Sequence, residues 1–210
     1  MSRKVTHAAA AVELAGRDPA LAALVAACGP MKLRRPSDTH FAALFRSVVY
    51  QQLAGAAAAA IHTRAVAALG GVVEPEVLLS TPSEQLRAAG LSANKLASLQ
   101  DLSAKVLDGT VVLDPPKLAR EPDEEVIARL TTVRGIGEWT AHMFLMFQLG
   151  RLDVWPTGDL GVRKGYGLAW GVPTPSAKEL GPLGDPLRPY RSVAAWYCWR
   201  ACETLKGPTP

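Results

Sequence analysis

Apolar positions along the chain recur with a period near 3.6, the pattern of helices that bury one face. The clearest stripe is Phe41, Leu44, Phe45, Val48 and Val49, at i, i+3, i+4, i+7 and i+8. Ser37 precedes it and can cap that helix. Asp18-Pro19 opens an earlier helix with Leu21, Leu24 and Val25. The alanine-rich run 54–69 comes next. Alanine lets helices approach closely, so this run reads as a buried central helix, ended by Gly70-Gly71. Pro82 and Ser83 start a short helix through Leu86, and Gly90-Leu91-Ser92 caps a longer one with Lys95, Leu99, Leu102 and Val106. Pro115, Pro116 and Pro122 make 109–122 a loop. Asp123 caps a helix through Leu130, with Glu124 and Glu125 in its first turn. Further helices are expected over about 138–149, after Asp159, and over 193–204. No run alternates as a strand does. About ten helices and no sheet define an all-α fold, read as a single unit over 1–210 with its N- and C-terminal helices in one lobe.

Composition narrows the function classes without choosing one. Of the 210 residues, 49% are hydrophobic and 20% charged, as in ordinary globular proteins. Only 6% are aromatic, yet five residues are Trp, so each Trp needs a packing or stacking role. The net charge of +4 permits a nucleic-acid partner but does not require one. Cys28, Cys198 and Cys202 form neither a disulfide framework nor a metal set. They read as buried structural residues, and no side-chain metal site or cofactor is expected. No apolar stretch reaches membrane-spanning length, and the N-terminal segment is a poor signal peptide. A cytoplasmic monomer without membrane association is the expectation.

The most informative stretch is 130–141, where two helical patterns are joined by Gly135-Ile136-Gly137. Both glycines can take positive φ. Ile136 can plug the space between the helices, and the second helix then starts with amides facing outward, a phosphate site. A Gly-x-Gly pair alone is weak, since most such pairs are ordinary turns. Here Val133 stands two before the first glycine, and Thr140-Ala141 follows. Asp159 lies 20 residues beyond Trp139, in the run Trp155-Pro156-Thr157-Gly158-Asp159. It sits where a helix N-cap is expected, and capping alone would explain it.

The whole pattern resembles a helix-hairpin-helix at about 123–149 followed by an Asp loop, as in the helix-hairpin-helix DNA glycosylase superfamily. Gln51-Gln52-Leu53, the Gly90–Lys95 turn and the segment from Tyr190 to Trp199 resemble its alkylpurine branch, 3-methyladenine DNA glycosylase II. The resemblance implies two helical lobes around a cleft and double-stranded DNA with damaged bases as partner. It also implies a flipped alkylated purine, of 3-methyladenine or 7-methylguanine type, cut from its sugar. Asp159 matches the family's catalytic carboxylate. Trp139 and Trp199 match pocket aromatics, with Trp196 a rival for the second place and Tyr50 a further candidate. The intercalating wedge falls within Gln51-Gln52-Leu53. Lys95, Arg134, Gly135, Ile136, Gly137 and Thr140 would contact DNA, and the carbonyls of Thr131, Val133 and Ile136 would hold a monovalent cation. Members that also cut the backbone carry Lys where this chain has Trp139. Trp cannot form a Schiff base, so a monofunctional enzyme leaving an abasic site is expected. No counterpart of the extra N-terminal β domain of larger relatives is expected. The alternatives are a non-catalytic helix-hairpin-helix DNA-binding protein and a glycosylase for another damaged base.

Overall fold

Seven of the described helices start at a Ser, Thr or Asp whose side chain accepts the amide three residues on. In the computed structural model, residues 5–33 and 36–205 are described. Among them are thirteen α-helices and no strand. They divide into two compact units, one of residues 1–35 and 150–210, the other of residues 36–149.

The first unit holds α1 (His7–Arg17), α2 (Pro19–Cys28), α11 (Leu160–Trp170), α12 (Ala177–Leu183) and α13 (Arg191–Thr204). Thr6 caps α1, and Asp18 caps α2 by accepting the Leu21 amide at 2.9 Å. The N-terminal alanine run is therefore helical. Leu14, Leu21, Leu24, Val162, Val193, Tyr197 and Cys198 are buried and make this unit's core. Helices α11 and α13 pack closely because glycines stand at their contact: a Cβ on Gly165 would overlap the carbonyl of Cys198. Cys198 is fully buried, while Cys28 and Cys202 are only partly so, which corrects the buried reading for two of the three. Burial pushes the Cys198 thiol well above its ordinary range, so it is no thiolate nucleophile.

The second unit holds α3 (His40–Tyr50), α4 (Gly55–Ala68), α5 (Pro75–Ser80), α6 (Ser83–Ala88), α7 (Ala93–Leu107), α8 (Pro115–Leu118), α9 (Asp123–Leu130) and α10 (Glu138–Met143). All five apolar residues of the α3 stripe are buried. Its cap is Thr39, not Ser37: Thr39 accepts the Ala42 amide at 3.1 Å, at the three-residue spacing that capping requires. The alanine run forms α4 as expected, but only Ala58 and Ala65 are buried along it. It is a surface helix, because alanine favours helix without demanding burial. One helical turn, α8, interrupts the expected loop 109–122, with Asp114 accepting the Lys117 amide. Pro122 rather than Asp123 is the N-cap of α9; Asp123 is its first helical residue. Beyond α10 the chain widens into a π-helical turn, Phe144–Gln148, a local irregularity that often accompanies functional sites.

Candidate functional site

The two donors that hold the Asp159 carboxylate, Val162 and Trp199, both belong to the first unit. Asp159 is the N-cap of α11, and its Oδ1 accepts the Val162 amide at 2.8 Å. The same oxygen accepts the indole N–H of Trp199, on α13, at 2.9 Å. The loop leading to Asp159 is fixed at several points. Asp153 accepts from Arg191 Nε at 2.8 Å and from Arg188 at 2.9 Å. The Val154 amide donates to Ser192 Oγ, and the indole N–H of buried Trp155 donates to the Leu180 carbonyl. A carboxylate on such a loop arrives already oriented, so little ordering remains when a substrate binds.

Of the two rival C-terminal tryptophans, Trp199 is the one joined to Asp159. Trp196 stands edge-on to Tyr197, with the Arg200 guanidinium 5.8 Å from its ring centre. Gly161 belongs to the site although its sequence context does not mark it as functional. A Cβ there would lie 2.8 Å from Trp199 Cδ1 and 3.1 Å from Asp159 Oδ1. The one signal in the sequence is the Gly161/Gly165 pair four residues apart, one face of α11.

The hairpin belongs to the second unit. Gly135 has φ +75°, and a Cβ there would overlap the Ser98 hydroxyl. Gly137 does not share that conformation: its φ is −95°, ordinary extended backbone, which corrects the expectation of two positive-φ glycines. What Gly137 supplies is open space, with nothing within 4 Å of a Cβ built on it. Ile136 is buried as the plug. No side chain caps α10. Trp139, its second residue, is 50% exposed. Thr140 is buried, and its hydroxyl accepts from Gln51 Nε2 at 3.3 Å, so this side chain supports the hairpin. The Gln51 amide also donates to the Gly135 carbonyl at 2.9 Å. Gln51 thus ties the turn after α3 to the hairpin. Gln52 has φ +56°, a left-handed conformation that non-glycine residues rarely adopt. Leu53 is 38% exposed, a large apolar side chain at the turn's surface.

Lys95 has a partner: its ammonium donates to the Val49 carbonyl near the end of α3, at 2.7 Å. Burial lowers its pKa from the ordinary lysine value. Tyr50 has the Arg46 guanidinium 5.0 Å from its ring centre and His62 edge-on at 6.0 Å. The carbonyls considered for a cation lie in the hairpin turn. That of Val133 accepts the Ile136 amide at 3.1 Å, which a carbonyl's two lone pairs accommodate beside a cation. No group of three or more His, Cys, Asp or Glu side chains is placed to hold a metal among the described residues.

Asp101, on α7, anchors the hairpin from outside it. Its Oδ2 accepts the Arg134 amide and the Lys105 ammonium, both at 2.7 Å. The Lys105 bond first, and the Arg134 amide second, hold the Asp101 carboxyl below the usual carboxylate range. The anchor is therefore fully present above that range and is lost only as pH falls through the lowered value. Asp101→Ala is expected to speed hydrogen exchange at the Arg134 amide by roughly tenfold, the scale of a bond to a charged group. An unchanged exchange rate would show that the turn holds itself.

Comparison with known proteins bears on these two constellations together. The model of the HhH-GPD superfamily base excision DNA repair protein matches residues 45–182. DNA-3-methyladenine glycosylase 1 of Schizosaccharomyces pombe is 34% identical over 206 residues, 96% of this chain and 90% of that protein. The solved structure of the S. pombe 3-methyladenine DNA glycosylase in complex with abasic DNA superposes with a TM-score of 0.83. It is 32% identical and covers 95% of this chain and 99% of its own. A DNA-3-methyladenine glycosidase from Bacillus halodurans also gives 0.83, at 35% identity over 93% of this chain and 90% of its own.

Proposed function

Because this chain belongs to the HhH-GPD superfamily of base excision DNA repair proteins, we propose that it is a DNA-3-methyladenine glycosylase. It removes alkylated purines from duplex DNA, acting alone and in the cytoplasm. The observation that carries this reading is the Asp159 carboxylate, fixed at the head of α11 by a backbone amide and an indole N–H.

The chemistry asked of that carboxylate is limited. A purine methylated at N3 or N7 is already cationic, so the electrons of the breaking C1′–N bond neutralise it as it leaves. Positive charge then builds on the deoxyribose, as on the sugar in glycoside hydrolysis. Asp159 stabilises that charge and orients the water whose oxygen bonds to C1′, while the water's proton passes to solvent. The products are free base and an abasic site. A fixed charge aimed at charge that develops in the transition state is the largest single term in many enzymes.

The hairpin takes the DNA backbone. With no Cβ at Gly137, phosphate oxygens can approach the amides at the start of α10, while Arg134 and one of the remaining N–H groups of Lys95 add cationic contacts. Gln52 and Leu53 fill the gap left when the base leaves the stack. The exposed indole of Trp139 offers a π face to a cationic base, and Tyr50 lies at the end of the same wedge-bearing turn. A monovalent cation at the carbonyls of Thr131, Val133 and Ile136 would steady the turn and draw in phosphate. No helix of the described residues is long and apolar enough to cross a membrane.

Incubation with methylated duplex DNA tests the reaction, with release of free 3-methyladenine or 7-methylguanine as the expected result. Borohydride in the same mixture is expected to trap no covalent protein–DNA adduct, because Trp139 stands where a Schiff-base lysine would. A trapped adduct overturns the monofunctional reading, and DNA binding without base release favours a non-catalytic hairpin protein.

A further inference from the structure

The contact between Trp199 and Asp159 is not the arrangement of an aromatic that serves only as a stacking surface. The indole N–H is spent on Oδ1 at 2.9 Å, the oxygen that also takes the Val162 amide. Two donors from two helices therefore fix one carboxylate oxygen, and with it the rotation of the whole group. The indole reaches this position only because residue 161 has no side chain. A Cβ there would lie 2.8 Å from Trp199 Cδ1, 3.1 Å from its Nε1 and 3.1 Å from Asp159 Oδ1. Gly161 is inside α11, not at a turn, and its φ is not in the positive range. Backbone geometry does not require glycine at this position; room for the indole does. The Gly161 carbonyl is held as well, accepting from Cys202 Sγ at 3.4 Å.

We propose that Trp199 is a positioning residue for Asp159, acting through its indole N–H, and that Gly161 is required because it leaves room for that bond. This rests on the reading of Asp159 as the catalytic carboxylate. Removing the donor leaves Asp159 in place as the cap of α11 but takes away one of the two donors that orient Oδ1. The cost then falls on the transition state, where the carboxylate must face the sugar, and not on DNA binding.

Two variants separate this from a packing or stacking role. Trp199→Phe keeps an aromatic face and removes the donor. Gly161→Ala keeps the indole and crowds it, while alanine is the better helix former. Single-turnover base release, the Kd for duplex DNA carrying a tetrahydrofuran abasic analogue, and the Tm are measured for both, beside Asp159→Asn. Both variants are expected to release base roughly 10–100-fold more slowly, the scale of a hydrogen bond to a charged group. Kd is expected to stay within about twofold of wild type, and Gly161→Ala to show no loss of Tm. The indole N–H resonance that vanishes in Trp199→Phe identifies Trp199 and is expected to move in Gly161→Ala. If Asp159→Asn is slow but Trp199→Phe keeps the wild-type rate, the positioning role is wrong and the catalytic assignment stands. If Trp199→Phe loses affinity and rate together, Trp199 is a substrate contact and the inference falls. If Asp159→Asn itself keeps the wild-type rate, the catalytic assignment fails first.

Discussion

Asp159→Asn is expected to slow base release by about 10³-fold while leaving the fold and the affinity for DNA nearly unchanged. The substitution separates two jobs that one side chain performs. As a cap, Asn is as good as Asp, and its carbonyl oxygen can keep both the Val162 amide and the Trp199 indole N–H. Losing the charge at the helix N-terminus costs only about 0.3–1 kcal/mol, so the Tm moves by a few degrees at most. The reaction loses far more. A unit charge about 4 Å from the developing oxocarbenium is worth about 4 kcal/mol at an effective dielectric of 20, and each 1.36 kcal/mol is tenfold in rate. Single-turnover release from methylated duplex DNA, with Tm and Kd on the same preparations, checks the division. Equal rates for wild type and Asp159→Asn would reduce Asp159 to a helix cap.

The capping role of Asp159 is legible in the sequence because capping is local: a short polar side chain and an amide three residues on. The caps at Asp18 and Ser92 are equally local. Where two polar residues compete within one turn, as Ser37 and Thr39 do, the choice depends on where the helix begins, and the apolar stripe does not fix that to one residue. Burial along 54–69 is illegible for a different reason. Alanine is apolar and a strong helix former, so it carries no sign of whether its helix faces core or solvent. The hairpin is legible as a spacing of glycines, but the two glycines serve different needs. Gly135 needs its positive φ, whereas Gly137 has ordinary backbone and leaves open space beside it. What no local pattern can show is long-range commitment. Gln51 reaches Gly135 and Thr140 across more than 80 positions, and Trp199 reaches Asp159 across 40. Those contacts tie Gln51 to the hairpin and join Trp199 to Asp159.

Gly165→Ala is expected to destabilise the protein by about 3 kcal/mol or more, lowering the Tm by roughly 6–12 °C. A Cβ at 165 would overlap the carbonyl carbon and oxygen of Cys198 and lie 2.8 Å from its Cα. These are backbone atoms in the middle of α13, so no side-chain rotation relieves the clash. Helices α11 and α13 would have to part by roughly 1 Å or more to restore ordinary contact, and the core built on Val162, Val193 and Tyr197 would loosen with them. The same two helices carry Asp159 and Trp199, so their separation stretches that 2.9 Å bond as well. Gly165→Ala is thus expected to lose activity in step with stability, whereas Gly161→Ala loses activity without it. Gly16 in α1 is the matched control: it is helical, has no neighbour within 4 Å of a built Cβ, and is expected to gain a few tenths of a kcal/mol as alanine. Thermal melts of the three alanine variants decide the matter. A Gly165→Ala protein melting within a degree or two of wild type would mean that α11 and α13 do not pack through their backbones at this point.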